Sequence, residues 1–205
     1  MLILNPKNYI CQLSMKTTVR IRIICAIITW IWLFFSNSVI SASTKPYEYE
    51  VKAAFIYNFA KFIDWPDSSF ESATSPFYVG VLGKNRFNGY LEKILSGKKL
   101  KGRKIQIRYF KNFKEVKYSH ILFISSSEKK RLRHVFKALE KKGILTIGDT
   151  EGFISTGGAI GFVMKDNKVR FEINLNSARK ARLTISSKLL RLAKKVIDEA
   201  GKGEL

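Results

Sequence analysis

Gly157-Gly158-Ala159-Ile160-Gly161-Phe162-Val163-Met164, then Lys165-Asp166-Asn167-Lys168, then Val169-Arg170-Phe171-Glu172-Ile173-Asn174-Leu175-Asn176 follow one another without a break. An apolar run, a polar turn and an alternating run form a β-hairpin signal. In the second run Val169, Phe171, Ile173 and Leu175 fall on one face. Arg170, Glu172, Asn174 and Asn176 fall on the other, because strand side chains alternate. Working outward, the segment after the hairpin reads as a short helix, a break and a capped final helix, with Leu189, Leu190, Ala193, Val196 and Ile197 as its buried stripe.

The strands upstream are shorter. Phe77–Gly83 is a strand entering a glycine turn, and Asn88–Ser96 is a short helix. Lys98–Lys104 reads as a basic loop, followed by an alternating strand from Lys104 to Phe110. His120–Ile124 is an apolar run of the kind a buried strand carries. Ser125-Ser126-Ser127-Glu128 supplies N-cap chemistry for a helix reaching Lys142, stopped by Gly143. Ile144–Ile147 is the next strand, and Asp149–Gly158 a loop or short helix. This order of strands and helices predicts an α/β layered domain with a mixed, mainly parallel sheet.

Tyr47–Asp64 reads as a helix, with Val51, Ala54, Phe55, Asn58, Phe59, Phe62 and Ile63 at helical spacing. Trp65-Pro66 ends it, because the residue before a proline is pushed out of the α region. The aromatic set serves a core face or, in part, a partner surface, where such residues are enriched.

The chain has 205 residues and a formal charge of +21. That balance suits an acidic partner, an anionic lipid surface or nucleic acid, and also suits plain compositional bias. Lys16, Arg20 and Arg22 precede an uncharged run, Ile23–Phe35, and small residues follow at Ser41-Ala42-Ser43. This is the signal-peptide pattern, and the run is short for a membrane span. Residues 1–43 are therefore predicted as a signal peptide, with Met15 an alternative start, and 44–205 as one domain. An uncleaved inner-membrane anchor is the alternative. Removing 1–43 takes four basic residues and no acidic one, leaving +17, and takes both cysteines, Cys11 and Cys25. Export makes nucleic acid an unsuitable partner.

The segment Tyr57-Asn58-Phe59-Ala60-Lys61-Phe62-Ile63-Asp64-Trp65-Pro66 resembles the opening motif of the YfiR family of periplasmic proteins. So do Ile160-Gly161-Phe162-Val163, Arg170-Phe171-Glu172-Ile173-Asn174-Leu175 and Ile185-Ser186-Ser187-Lys188-Leu189-Leu190-Arg191-Leu192. The resemblance runs from about Tyr47 to Val196 and is strongest at its two ends. It implies a Rossmann-like sandwich and a regulator that binds the periplasmic sensor domain of an inner-membrane diguanylate cyclase, lowering cyclic di-GMP and biofilm formation. A small-ligand-binding module feeding another membrane signalling protein is the alternative. The founding repressor carries disulfides. Residues 44–205 hold no cysteine, so redox gating by the chain's own thiols does not carry over.

Catalytic signatures are missing. Gly80-Val81-Leu82-Gly83 with Gly89 has the wrong spacing for a dinucleotide fingerprint. Gly97–Lys104 has phosphate-loop glycine spacing but places Arg103-Lys104 where lysine and a hydroxyl are required. His120 and His134 are the only histidines and lack metal-ligand spacing. No catalytic residue, cofactor or metal is assigned. The candidate partner or ligand surface is Tyr57, Trp65, Gly157, Gly158, Glu172 and Asn174. Gly157-Gly158 would let backbone amides approach an anion. The basic faces suit steering to an acidic partner or to anionic headgroups, and a homodimer stays open.

Overall fold

The computed structural model describes residues 45–140 and 142–198. The export segment read at 1–43, with Met15, Cys11, Cys25 and the cleavage site, lies outside the described residues. The chain opens with α1 (Lys45–Phe62) and β1 (Ile63–Asp64), then β2 (Phe77–Leu82), α2 (Tyr90–Leu95), β3 (Lys99–Leu100), β4 (Arg103–Phe110) and β5 (Ile121–Ile124). It continues through α3 (Leu132–Leu139), β6 (Leu145–Gly148), α4 (Phe153–Thr156), β7 (Ile160–Lys165) and β8 (Lys168–Asn174). α5 (Leu175–Lys180), β9 (Thr184–Ile185), α6 (Ser187–Leu190) and β10 (Lys195–Ile197) complete it.

Eight strands form one sheet in the order β10-β8-β7-β6-β5-β2-β4-β3. The β7–β8 and β3–β4 pairs are antiparallel and the remaining pairs are parallel. This is the mixed, mainly parallel α/β sheet that the sequence predicts. β4 pairs on one side of β2 and β5 on the other, so strand order reverses at β2.

The hairpin forms where the sequence places it. Asp166 and Asn167 turn the chain with φ of 52° and 55°. Both are residue types that tolerate the left-handed region a two-residue hairpin loop requires. Phe162 pairs with Phe171 and Ile160 with Ile173, so the alternation of β8 delivers its apolar side chains to one face. α1 covers that face. Phe59 lies 4.9 Å from the Phe171 ring and 5.8 Å from Phe162, and Phe55 lies 5.5 Å and 6.1 Å from the same two rings. The two ends of the chain that resemble known sequences thus pack on each other. A second core, under α3 and α4 on the other face, gathers Leu82, Leu122, Ile124, Leu132, Val135 and Phe153.

Five expectations are corrected, the last of them in the final helix. The buried stripe of α1 is Tyr49, Ala53, Ile56, Phe59, Ala60 and then Ile63, while Asn58 is exposed. Apolar residues line most of this helix, so spacing alone leaves the phase open; in the fold Lys52 is buried and paired with Asp149. α1 also stops at Phe62, because Ile63–Asp64 pair antiparallel with Thr184–Ile185 and Ser186 N–H donates to the Phe62 carbonyl at 2.9 Å. The basic loop at 98–104 contains β3, folded back on Arg103–Lys104. The helix after Ser125 begins as a 3-10 helix, Ser126–Arg131, before α3.

The final helix differs most. Only Ser187–Leu190 is helical, capped by the Ser186 hydroxyl. Val196 and Ile197 lie instead in β10, parallel to β8 in register with Ile173 and Asn174. A helix of this length is marginal by itself, whereas β8 offers a row of open backbone groups, beginning with the Phe171 carbonyl that accepts from Lys194 N–H at 2.8 Å.

Candidate functional site

Trp65 leaves the end of β1 and lies edge-on to Phe77, the first residue of β2, with ring centroids 5.0 Å apart. Its indole N–H donates to the His120 carbonyl at 3.2 Å. These contacts and the β3–β4 turn border a half-open cavity of about 210 Å³ lined by Trp65, Asp67, Phe70, Phe77, Leu100, Lys101 and Arg103. The Arg103 guanidinium stacks on the Phe70 ring at 3.9 Å, and one of its nitrogens donates to the carbonyls of Ser72 and Ser75 at 2.8 Å each. Lys101 pairs with Asp64, both exposed. The cavity therefore has an aromatic wall and a cationic rim.

His120 stands directly behind it. Its imidazole is layered between Phe70 at 4.5 Å and Phe77 at 4.6 Å. Nδ1 accepts from Tyr78 N–H at 2.9 Å, which leaves Nε2 to donate to the Ser69 carbonyl at 3.1 Å. This geometry fixes the neutral tautomer, since a protonated ring would turn a donor toward the Tyr78 N–H. Burial pushes the pKa down to about 4; the Ser69 carbonyl opposes the shift and the nearby Arg103 charge adds to it. Sequence reading places His120 at the start of a buried strand but does not reveal this clamp on the Ser69 loop.

The other candidate residues have settled local duties. Tyr57 is half-buried beneath two cations, Lys98 at 4.3 Å and Lys61 at 5.1 Å from its ring centre. Asn174 caps α5, its side-chain oxygen accepting from Ser177 N–H at 3.1 Å while its amide donates to the Ile154 carbonyl at 2.9 Å. Glu172 lies 3.7 Å from the Lys194 ammonium. The amides of Gly157 and Gly158 donate to the carbonyls of Ile154 and Phe153 at 3.3 and 3.0 Å, closing α4. Gly158 is required by packing, because a Cβ there would lie 2.1 Å from the Phe153 ring. Gly157 lines a second cavity, of about 230 Å³, with Phe136, Lys137, Ser177 and Lys180 among its walls. The cavity at Trp65 contains none of Gly157, Gly158, Glu172 and Asn174.

One cluster escaped sequence reading altogether. Lys52 is only 3% exposed, and its ammonium lies 2.9 Å from Asp149 and 2.5 Å from Glu48. The Tyr49 hydroxyl donates to the same Asp149 oxygen at 2.5 Å. Burial, with Asp149 second, raises the Tyr49 pKa well above the ordinary phenol range. Asp149 follows the C-terminal end of β6, the end of a parallel sheet at which ligands bind in open α/β folds. Here that end is drawn tight. Lys84 N–H donates to the Ser127 hydroxyl at 3.0 Å across the point where strand order reverses. No spacing rule links Lys52 to Asp149, 97 positions away. A lysine inside an aromatic stripe was the available clue.

Among the described residues no group of His, Cys, Asp and Glu could hold a metal ion, and no helix is long and apolar enough to cross a membrane. A sequence-family model described as YfiR/HmsC-like matches residues 49–194. No curated protein matches the sequence. Among solved structures the chain is similar to a conserved domain protein from Vibrio cholerae O1 biovar El Tor strain N16961, at 10% identity and a TM-score of 0.51. It is also similar to an ABC domain in complex with L-Trp from Streptococcus pneumoniae, at 11% identity and a TM-score of 0.50. Each comparison covers 73% of this chain, which spans 60% of the matched one. Identities this low show a shared fold and nothing about activity.

Proposed function

The chain belongs to the YfiR/HmsC-like family, and we propose on that premise that it is an exported, non-enzymatic regulator. It binds the extracytoplasmic domain of an inner-membrane signalling protein, a diguanylate cyclase, and lowers cyclic di-GMP output. The observation that carries the reading is the extent of the family match, residues 49–194, which takes in both halves of the core and the Trp65 cavity. The basic n-region and apolar run before residue 44 support export, and the chain's excess of cations supports an acidic partner face.

The test is capture from detergent-solubilised membranes with the tagged chain as bait, at low and high salt. Recovery of a cyclase carrying an extracytoplasmic sensor domain, weakened by salt, is the expected result. Recovery of no membrane signalling protein at either salt concentration overturns the reading. A second reading, a small-ligand-binding module, is favoured by the half-open cavity of about 210 Å³ beside Trp65. Thermal-shift screening of the purified chain against a metabolite library tests it, and the absence of any stabilising compound counts against it. The two readings are compatible, because a ligand with unequal affinity for two conformations shifts the partner equilibrium.

A further inference from the structure

The eight-stranded sheet ends at β3 on one side and at β10 on the other. β10 is three residues long. β3 is shorter still and pairs only with Arg103 and Lys104. Beyond that point β4 is itself the edge, and its residues Ile105–Phe110 pair with β2 alone. The direction of its backbone groups is fixed by two bonds. The Phe110 carbonyl accepts from Gly83 N–H at 3.0 Å, on the β2 side, and Ile105 N–H donates to the Lys98 carbonyl at 3.4 Å, on the outer side. By alternation along the strand, Ile107 and Tyr109 turn their N–H and C=O groups outward. Among the described residues no strand, loop or side chain takes them.

The charge around this edge is predominantly positive, with Glu92 of α2 beside Tyr109 and Glu115 just past Lys114. Between Lys93 and Lys114 the sequence has nine Lys or Arg and no Asp or Glu. Two of the nine have carboxylate partners, Lys93 with Glu50 and Lys101 with Asp64. Lys99, Lys104, Lys111 and Lys114 are exposed and, among the described residues, have none. Tyr109 is 46% exposed at the same edge, and its hydroxyl donates to Glu92 of α2.

We propose that the outer edge of β4 is a docking edge for an acidic, extended segment of a protein partner, which adds to the sheet as a further strand beside Ile105–Phe110. The inference deepens the regulator reading and rests on it for the partner being a protein. Open N–H and C=O groups in strand geometry are satisfied by another backbone, which a lipid headgroup lacks. Lysines on an edge discourage pairing with a second copy, because each copy brings the same cations. They attract a carboxylate-rich strand for the same reason, so one feature repels self and admits the acidic partner.

The test uses a defined probe, the blocked hexapeptide Glu-Val-Glu-Val-Glu-Val, added to the chain up to millimolar concentration while amide hydrogen exchange is read by NMR. The expected result is exchange slowed by about tenfold or more at Ile107 and Tyr109, lost when alternate peptide nitrogens are methylated and lost with the lysine counterpart. Unchanged exchange at both amides overturns the proposal. Equal protection by the lysine peptide overturns the charge argument. Protection that rises with protein concentration alone assigns the edge to a second copy, and protection by phosphatidylglycerol vesicles assigns it to lipid; either result overturns it.

A Tyr109→Pro variant removes an outward N–H without touching the β2 ladder, and separates this proposal from the regulator reading. If Tyr109→Pro still captures the membrane partner at full yield, the edge is wrong and the regulator reading stands. If the peptide protects both amides but the unmodified chain captures no membrane signalling protein, the edge stands and the regulator reading falls.

Discussion

Acidification should unlock the layer behind Trp65, and His120 sets the size of the effect. The folded ring titrates near pH 4 because it is buried, with both nitrogens held in the neutral arrangement by Tyr78 N–H and the Ser69 carbonyl. In the unfolded chain its pKa returns to about 6.5. The folded value lies below the unfolded one, so His120 contributes full stability above pH 6.5. That contribution is lost progressively as pH falls toward 4, where the unfolded state binds the extra proton. The two values correspond to a loss of about 2 kcal/mol between pH 7.5 and pH 5, rising to about 3 kcal/mol at lower pH. Urea denaturation across this range measures the loss. Carboxylates titrate in part of it, so the difference from a His120→Phe variant is the decisive quantity. That variant keeps a ring between Phe70 and Phe77 but leaves the Tyr78 N–H and the Ser69 carbonyl unpaired, each of which costs about 1–3 kcal/mol at every pH. The variant should therefore start less stable and show a flatter profile between pH 6.5 and 5. Parallel profiles for the two proteins would refute the reasoning.

Lys52→Met should destabilise the fold by about 3–5 kcal/mol in urea titration, because it strands the Asp149 carboxylate in the interior, and adding Asp149→Leu should recover much of the loss. Gly158→Ala should cost about 1–3 kcal/mol through collision with the Phe153 ring, and Phe153→Leu should relieve part of it, measured by the same denaturation. Fusion of a phosphatase that is active only outside the cytoplasm to the C-terminus should give activity that depends on residues 1–43. Equal activity without them would contradict the export reading.

Much of the fold is legible in the sequence for identifiable reasons. The β7–β8 hairpin announces itself because alternation and a turn chemistry tolerant of positive φ coincide at Asp166-Asn167. The buried strands β2, β5 and β6 are legible as apolar runs between turn signals. What misleads is periodicity without context. Val196 and Ile197 fit a helical stripe equally well, and only the open edge of β8 decides that they extend. The phase of α1 is hidden because apolar residues line most of it, and its buried contacts, Lys52 with Asp149 and Phe59 with Phe171, join positions far apart in sequence.

The candidate surface is less legible than the fold. Tyr57 and Trp65 do lie at the end of α1 next to basic side chains, Trp65 on the wall of a cavity. Gly157, Gly158, Glu172 and Asn174 stand out in sequence because they flank the hairpin, and in the structure their polar groups serve turns, a helix cap and a strand-edge ion pair. The open edge of β4 has no sequence motif of its own. A basic alternating strand reads the same whether a neighbour covers it or not, and only the pairing pattern of β3 distinguishes the two.

The central claim is regulation of a membrane cyclase, and the most direct measurement is intracellular cyclic di-GMP in a strain lacking the gene, compared with its parent and with the strain complemented by the full chain. The account predicts a rise on deletion and a return to the parental level on complementation. Cyclic di-GMP that stays at the parental level in the deletion strain under every growth condition tried would contradict it.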